Sequence, residues 1–157
     1  MEVRSRPATA ADLADLADLA QRAIAELTPH RGGELWRREA GRAVPVEESL
    51  TADLADRDVA IVAGCIDDVV VGYGVVRIVT LRDGSLLARV TDLFTQAEAR
   101  AVGVGEAMMN DLVAEAERRA CIGVDSMALP GDRETKNFFE SFGLVARAIT
   151  VHRRLGP

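Results

Sequence analysis

The chain has 157 residues, of which 48% are apolar and 28% charged, and its formal net charge is −6. That length suits a single domain over residues 1–157 with a real core, and it is too short for two ordinary domains. The net negative charge disfavours nucleic acid as a partner, no run of about eighteen apolar residues exists to span a membrane, and Met1 to Arg6 lack an apolar signal core, so a cytoplasmic protein is expected. Cys65 and Cys121 sit among apolar neighbours without the count or spacing of a zinc site, so packed thiols and no metal are expected.

Glu2 to Arg6 alternates apolar and polar residues and ends at Pro7, as a short first strand does. Thr9 or Ala10 opens a helix: Thr9-Ala10-Ala11-Asp12 has the form of a capping box with Asp in place of Glu, and Leu13, Leu16, Leu19, Ala20 and Ala23 make one apolar face. The helix fades near Leu27, because Pro29 disfavours a helical residue before it and Gly32-Gly33 follow. Glu34 to Arg42 reads as a short second helix carrying Leu35 and Trp36, and Ser49 to Ala55 as a further turn or two. From Val59 the pattern changes to continuous apolar runs. Val59 to Ile66 and Val69 to Val79 are strands joined by the tight turn Asp67-Asp68, Asp83-Gly84 marks a second hairpin, and Leu86 to Phe94 returns as the next strand. Gly72 and Gly74 flank Tyr73 in the middle strand, which suits either relief of twist or a ligand lying against backbone.

Thr91 to Arg118 passes from strand residues Leu93 and Phe94 through a polar turn, Gln96 to Arg100, into a helix after Gly103. Val104, Met108, Leu112 and Ala116 recur every four residues, the face of an amphipathic helix packed on a sheet. The first amides of a helix have no partner within it, and the peptide dipoles add partial positive charge there, so phosphate oxygens bind without a dedicated cationic pocket. Gly103 and Gly105 let a ligand approach the main chain, and Arg100 adds a fork of donors. Downstream, Gly123 to Leu129 reads as a strand parallel to the one before the loop, reached by a right-handed crossover. Asp132 to Ser141 forms a helix capped by Gly143, and Val145 to Leu155 supplies one or two final strands.

Arg100-x-x-Gly103-x-Gly105, preceded by Leu93-Phe94-Thr95 and followed by a helix, resembles the acetyl-CoA pyrophosphate loop of the GNAT superfamily of N-acetyltransferases. Phe138-Phe139-Glu140-Ser141-Phe142-Gly143-Leu144 is similar to that family's aromatic-rich helix, which leads into the next strand. The resemblance implies an α/β (α+β) domain with a mixed, mostly antiparallel sheet of roughly six to seven strands, flanked by about four helices. Two parallel strands in it splay apart to admit the pantetheine arm. Acetyl-CoA is the implied cosubstrate, and its acetyl group goes to a primary amine by direct attack in a ternary complex. The acceptor is a small-molecule or protein amine. Cofactor contacts fall on the backbone of Leu93, Phe94 and Thr95, on Arg100, Ala101, Val102, Gly103, Val104 and Gly105, and beyond the loop on Asp132, Lys136 and Phe139, with Arg133 nearby. The connection after the first helix borders the acceptor in this family, which puts Glu26, His30, Arg31 and Trp36 beside it; a solvated loop anchored by Trp36 is the other reading. A homodimer through a sheet edge or the final strands also fits.

Acetyl transfer to an amine needs positioning, loss of the amine proton, stabilisation of the developing oxyanion and protonation of the departing thiolate. The resemblance gives the oxyanion to the main-chain N–H of Leu93. Asp92 is the carboxylate next to that site, and it is either the general base or a rim residue making a structural hydrogen bond; a relay of waters is the competing route. Phe139 stands where many members carry a tyrosine and has no proton to give, and Asp132 stands where an asparagine is common. The alternative function is therefore a catalytically weak acyl-CoA-binding sensor or partner-binding module. A Rossmann site disagrees with Met108 where a third glycine belongs, and a nucleoside-triphosphate loop lacks its Gly-Lys-Ser/Thr.

Overall fold

The computed structural model describes residues 1–157. Five strands form one sheet in sequence order. Strands β1 (Val3–Pro7), β2 (Val59–Ile66), β3 (Val69–Thr80) and β4 (Leu86–Thr95) make an antiparallel meander, and β5 (Val124–Asp125) runs parallel to β4. The helices are α1 (Leu13–Leu27), α2 (Gly33–Glu39), α3 (Val46–Ala55), α4 (Val104–Arg118) and α5 (Arg133–Ser141). Asp67 and Asp68 both take left-handed backbone, φ 46° and 68°, the mirror-image turn that matches strand twist.

The sheet has five strands rather than six to seven, and five α-helices flank it, in line with the about four expected. Gly123 to Leu129 narrows to two residues because β4 pairs with it only at Ala88 and Arg89. Val145 to Leu155 forms no strand: no residue from 145 to 157 makes a backbone–backbone hydrogen bond. Val145, Ile149, Val151 and Leu155 stay 81–88% exposed. Strand propensity describes fit to a half-buried pleated surface, and here no neighbouring strand supplies that surface.

The two faces of the sheet carry separate cores. On one, Val104, Met108, Met109, Leu112 and Ala116 of α4 pack against Val62, Val76, Ile78, Ala88 and Val90. On the other, Leu16, Leu19 and Ala20 of α1 and Leu50 of α3 pack against Ile61, Tyr73, Val75 and Phe94. Glycines form the floor under α4. A Cβ at Gly64 would lie 2.6 Å from Val104 Cγ1, at Gly72 2.9 Å from Met108 Cε, and at Gly74 2.9 Å from Leu112 Cδ1. Gly72 and Gly74 thus admit a helix to the sheet, rather than a ligand.

A bulge decides which way β4 points its functional residues. Val75 pairs with Asp92 and Val76 with Val90, so Thr91 is an extra residue with no partner. An inserted residue reverses the facing of everything after it. Ala88 and Val90 face α4, whereas Phe94 joins the core under α1 and α3, and Asp92 turns to that same side beside Tyr73.

At the start of the chain the Asp12 carboxylate accepts the Thr9 N–H at 2.8 Å and both Arg6 terminal nitrogens at 2.8 Å. The Arg6 hydrogen bond holds its pKa down to about 2, from an ordinary value of 3.8. A depressed folded pKa gives stability that is present above the unfolded value and lost as pH falls through the folded one; here it amounts to about 2 kcal/mol. Asp12→Asn is expected to lower the unfolding free energy by that amount at neutral pH. In denaturant titrations its gap to wild type closes between about pH 4 and pH 2.

Candidate active site

Past Arg89, β4 and the chain after Asp125 separate, and Val90–Thr95 and Ser126–Leu129 line a cavity of about 980 Å³. The end of α1, Trp36 of α2, the loop before α4, and α5 complete its walls. No helix is long and apolar enough to cross a membrane.

The loop follows a single turn at Ala97–Ala99. Arg100 is extended, Ala101 (φ 64°) and Gly103 (φ 96°) are left-handed, and α4 begins at Val104. Left-handed backbone at such spacing turns successive N–H groups to one side. The amides from Ala101 to Glu106 find no backbone acceptor, and no side chain caps them. The Val104 side chain is buried in the α4 core, and that of Val102 is exposed, so both bear on the loop through their amides. Arg100 is more constrained than its position at the mouth suggests. Its Nε donates to Thr95 O at 2.8 Å, its Nη2 to Glu26 at 2.7 Å, and its guanidinium carbon lies 5.3 Å from the centre of the Phe94 ring. The Glu26 hydrogen bond raises its pKa further.

Leu93, Phe94, Thr95, Ala101, Gly103, Gly105, Asp132 and Phe139 line the cavity, with Asp92, Glu26, His30 and Trp36. Arg31, Arg133 and Lys136 do not; Lys136 pairs with Glu140 at 3.4 Å, one turn further along α5. Asp132 caps α5, accepting from the Thr135 N–H at 3.2 Å and its hydroxyl at 2.8 Å. Phe139 is buried edge-on to Phe138, ring centres 5.7 Å apart.

Sequence reasoning singled out Asp92 but missed the side chains that surround it. Arg42, between α2 and α3, is buried, and its Nε and Nη2 donate to Asp92 at 3.1 Å and 2.7 Å. Its Nη1 donates to Ser49 at 3.0 Å and to Asp53. The other Asp53 oxygen accepts from Arg77 at 2.8 Å. Tyr73 donates its hydroxyl proton to Asp92 Oδ2 and Thr91 donates to Oδ1, each at 2.7 Å. Each Asp92 oxygen therefore accepts two hydrogen bonds, the full capacity of a carboxylate. Burial works against the Arg42 charge, but the bonds from Asp92 and Asp53 outweigh it and raise its pKa. Burial also opposes ionised Asp53, and Arg42 and Arg77 bring its pKa down. Tyr73 is pushed well above the ordinary phenol value by burial and then by the Asp92 charge, so it stays protonated. The only local signal was weak: two opposite charges, each set in an apolar stretch, Gly41-Arg42-Ala43-Val44 and Val90-Thr91-Asp92-Leu93.

A profile of the Acetyltransferase (GNAT) family matches residues 21–144, more than half of the chain. The chain belongs to the GNAT acetyltransferase family. No curated protein matches it. Solved structures similar to it include a ribosomal-protein-alanine N-acetyltransferase from Brucella melitensis biovar Abortus 2308, 17% identical with a TM-score of 0.72, covering 99% of this chain and 100% of that one. AAC(6')-Iy in complex with a bisubstrate analog of CoA is 15% identical, with a TM-score of 0.76 and 100% of each chain covered. An aminoglycoside acetyltransferase from an uncultured soil metagenomic sample, in complex with sisomicin, is 16% identical, with a TM-score of 0.73 and 99% and 96% covered. At such identities the likeness shows the GNAT fold. The loop before α4 and the gap between β4 and the chain after Asp125 are features of this GNAT chain itself.

Proposed function

We propose that this GNAT chain is a cytoplasmic N-acetyltransferase moving the acetyl group of acetyl-CoA to a primary amine by direct attack in a ternary complex. The observation that carries it is the run of unpartnered amides from Ala101 to Glu106 at the rim of the cavity. They fit a diphosphate: nothing lies within 4 Å of where a Cβ at Gly103 would be, and Gly105 places no side chain between its own amide and the cavity. Bound acetyl-CoA supplies an acetyl thioester that is already activated. The amides of residues 101–106 grip the pyrophosphate, and the β4 backbone at Leu93, Phe94 and Thr95 aligns the arm, with the Leu93 N–H facing the oxyanion. Phe139 and Asp132 shape the walls near α5, and Phe139 gives no proton, so the departing sulfur is protonated from water. Asp92 holds all the hydrogen bonds it can accept, and the amine's proton leaves through water rather than directly to it.

The acceptor is a cationic amine. The cavity is lined by the carboxylates of Glu26, Asp92, Glu106, Asp132 and Glu134 against the guanidinium groups of Arg42 and Arg100, an excess that attracts positive charge. Both small-molecule amines and protein amines suit that field, in keeping with the aminoglycoside and ribosomal-protein enzymes that share the fold. Release of free thiol from acetyl-CoA is expected with members of a panel of aminoglycosides, polyamines and peptide N-termini. Phe139 favours the second reading, an acyl-CoA sensor, which tight acetyl-CoA binding without thiol release for any amine would select.

The segment 145–157 seats on a second copy. It carries Arg147, Arg153 and Arg154 and no acid on a chain of net charge −6, and it leaves beside the free edge of β5, where Arg147 Nε donates to Asp125 at 2.8 Å. An open edge and a segment whose backbone groups have no backbone partner of their own complement each other across a twofold axis. Light scattering should report a dimer; a monomer at micromolar concentration rules it out.

A further inference from the structure

We infer that Arg42 is a positioning residue that keeps the acceptor amine neutral and nucleophilic by occupying Asp92; this rests on the transferase reading and deepens it. Attack on a thioester needs the lone pair of an unprotonated nitrogen. A free carboxylate beside that nitrogen would do the opposite, since an anion stabilises the ammonium form and raises its pKa. Asp92 lines the cavity next to Leu93, the place where such a carboxylate would do most harm. Arg42 takes one site on each of its oxygens, and Tyr73 and Thr91 take the remaining two. Neither oxygen is left for an ammonium group.

The buried charges are matched as well. Arg42 and Arg77 face Asp53 and Asp92, and the further carboxylate on Arg77, Asp56 at 3.9 Å, lies at the exposed end of the chain of ion pairs. Tyr73 donates its one hydroxyl hydrogen to Asp92 in a hydrogen bond, so what it offers the cavity is an oxygen lone pair. That lone pair accepts an N–H from a neutral amine without adding net charge to hold an ammonium. The proton shed by the ammonium goes to water, and no side chain has to receive it. The carboxylates at the rim attract the cation, while the braced centre favours its deprotonated form.

The test compares wild type, Arg42→Gln and Asp92→Asn, using one amine that wild type accepts and the pH dependence of kcat, which reports groups in the ternary complex. Glu26, His30, Arg100, Glu106, Asp132 and Glu134 also face the cavity and are the same in all three proteins, so differences between them read the Arg42–Asp92 pair. Arg42→Gln leaves Asp92 uncompensated, and the rising limb should move to higher pH by about one unit. Asp92→Asn leaves Arg42 in excess, and the limb should move to lower pH with turnover retained. A second readout needs no ligand. Tyr73 is the sole tyrosine, and its phenolate absorbance should appear at lower pH in Asp92→Asn than in wild type. Should Arg42→Gln fail to fold, the direction of both Asp92→Asn shifts decides. Turnover and limb lost together in Asp92→Asn would make Asp92 the base and overturn the inference, as would a limb or phenolate titration that does not move. Wild-type protein releasing no thiol with any amine overturns the transferase reading and this one with it; release with an unmoved limb overturns this one alone.

Discussion

Arg42→Met is expected to lower the unfolding free energy by about 3–5 kcal/mol, the usual result of removing one partner from a buried ion pair. The loss is not the worth of the guanidinium contacts alone. Asp53 keeps only the half-exposed Arg77, and Asp92 keeps only the hydroxyls of Tyr73 and Thr91, so two carboxylates stay desolvated without their main counter-charge. For a domain of this size that corresponds to a fall in Tm on the order of 10 °C. A urea titration checks it, and replacing Arg42, Asp53 and Asp92 together by neutral residues should recover part of the loss, because no buried carboxylate is left uncompensated and Arg77 is half-exposed beside Asp56. A decrease below about 1 kcal/mol would mean that water reaches both carboxylates once the guanidinium is gone.

Gly105→Asp should leave folding intact and raise the dissociation constant for acetyl-CoA at least tenfold, about 1.4 kcal/mol. A Cβ at residue 105 would meet Phe138 ring atoms at 3.5 Å and 3.6 Å and Thr95 Oγ1 at 3.9 Å, ordinary contact distances. A carboxylate in the first turn of α4 even favours the helix through its dipole. The effect on affinity therefore comes from charge placed among the amides that receive the diphosphate. Calorimetric titration with acetyl-CoA measures it, and Gly105→Ala is the steric control, with affinity close to that of wild type. Equal affinities for wild type and the aspartate variant would remove the loop from the cofactor site.

What the sequence disclosed was local. The face of α1, the glycine turn before α4 and the Asp67-Asp68 hairpin each follow from residues within one helical turn or one hairpin, and each stands where the spacing put it. The polar centre depends on distance. Arg42 and Asp92 are fifty positions apart, and neither has a neighbour in sequence that announces the other. Arg42 reads as the end of a short helix, yet α2 stops at Glu39 and Arg42 itself is buried. The final strands failed for the converse reason: Val145, Ile149, Val151 and Leu155 have the composition of a strand, but pairing belongs to two segments and composition describes one. Gly64 gave no sign of its part under α4, because a glycine in a strand looks the same whether a helix, a ligand or nothing lies above it.

The unpaired Thr91 has a consequence for how the protein tolerates changes in chain length. Losing Thr91 would restore unbroken alternation with Asp92 still opposite Val75 and beside Tyr73, whereas losing Leu93 would swing Phe94 into the layer occupied by Met108 and Leu112. Surface connections such as the one before α2 accept insertions and deletions readily. Within β4 the bulge is the place where a single-codon deletion keeps each side chain on its own face, and past Asp92 an odd number of residues gained or lost is the change this strand can least accommodate.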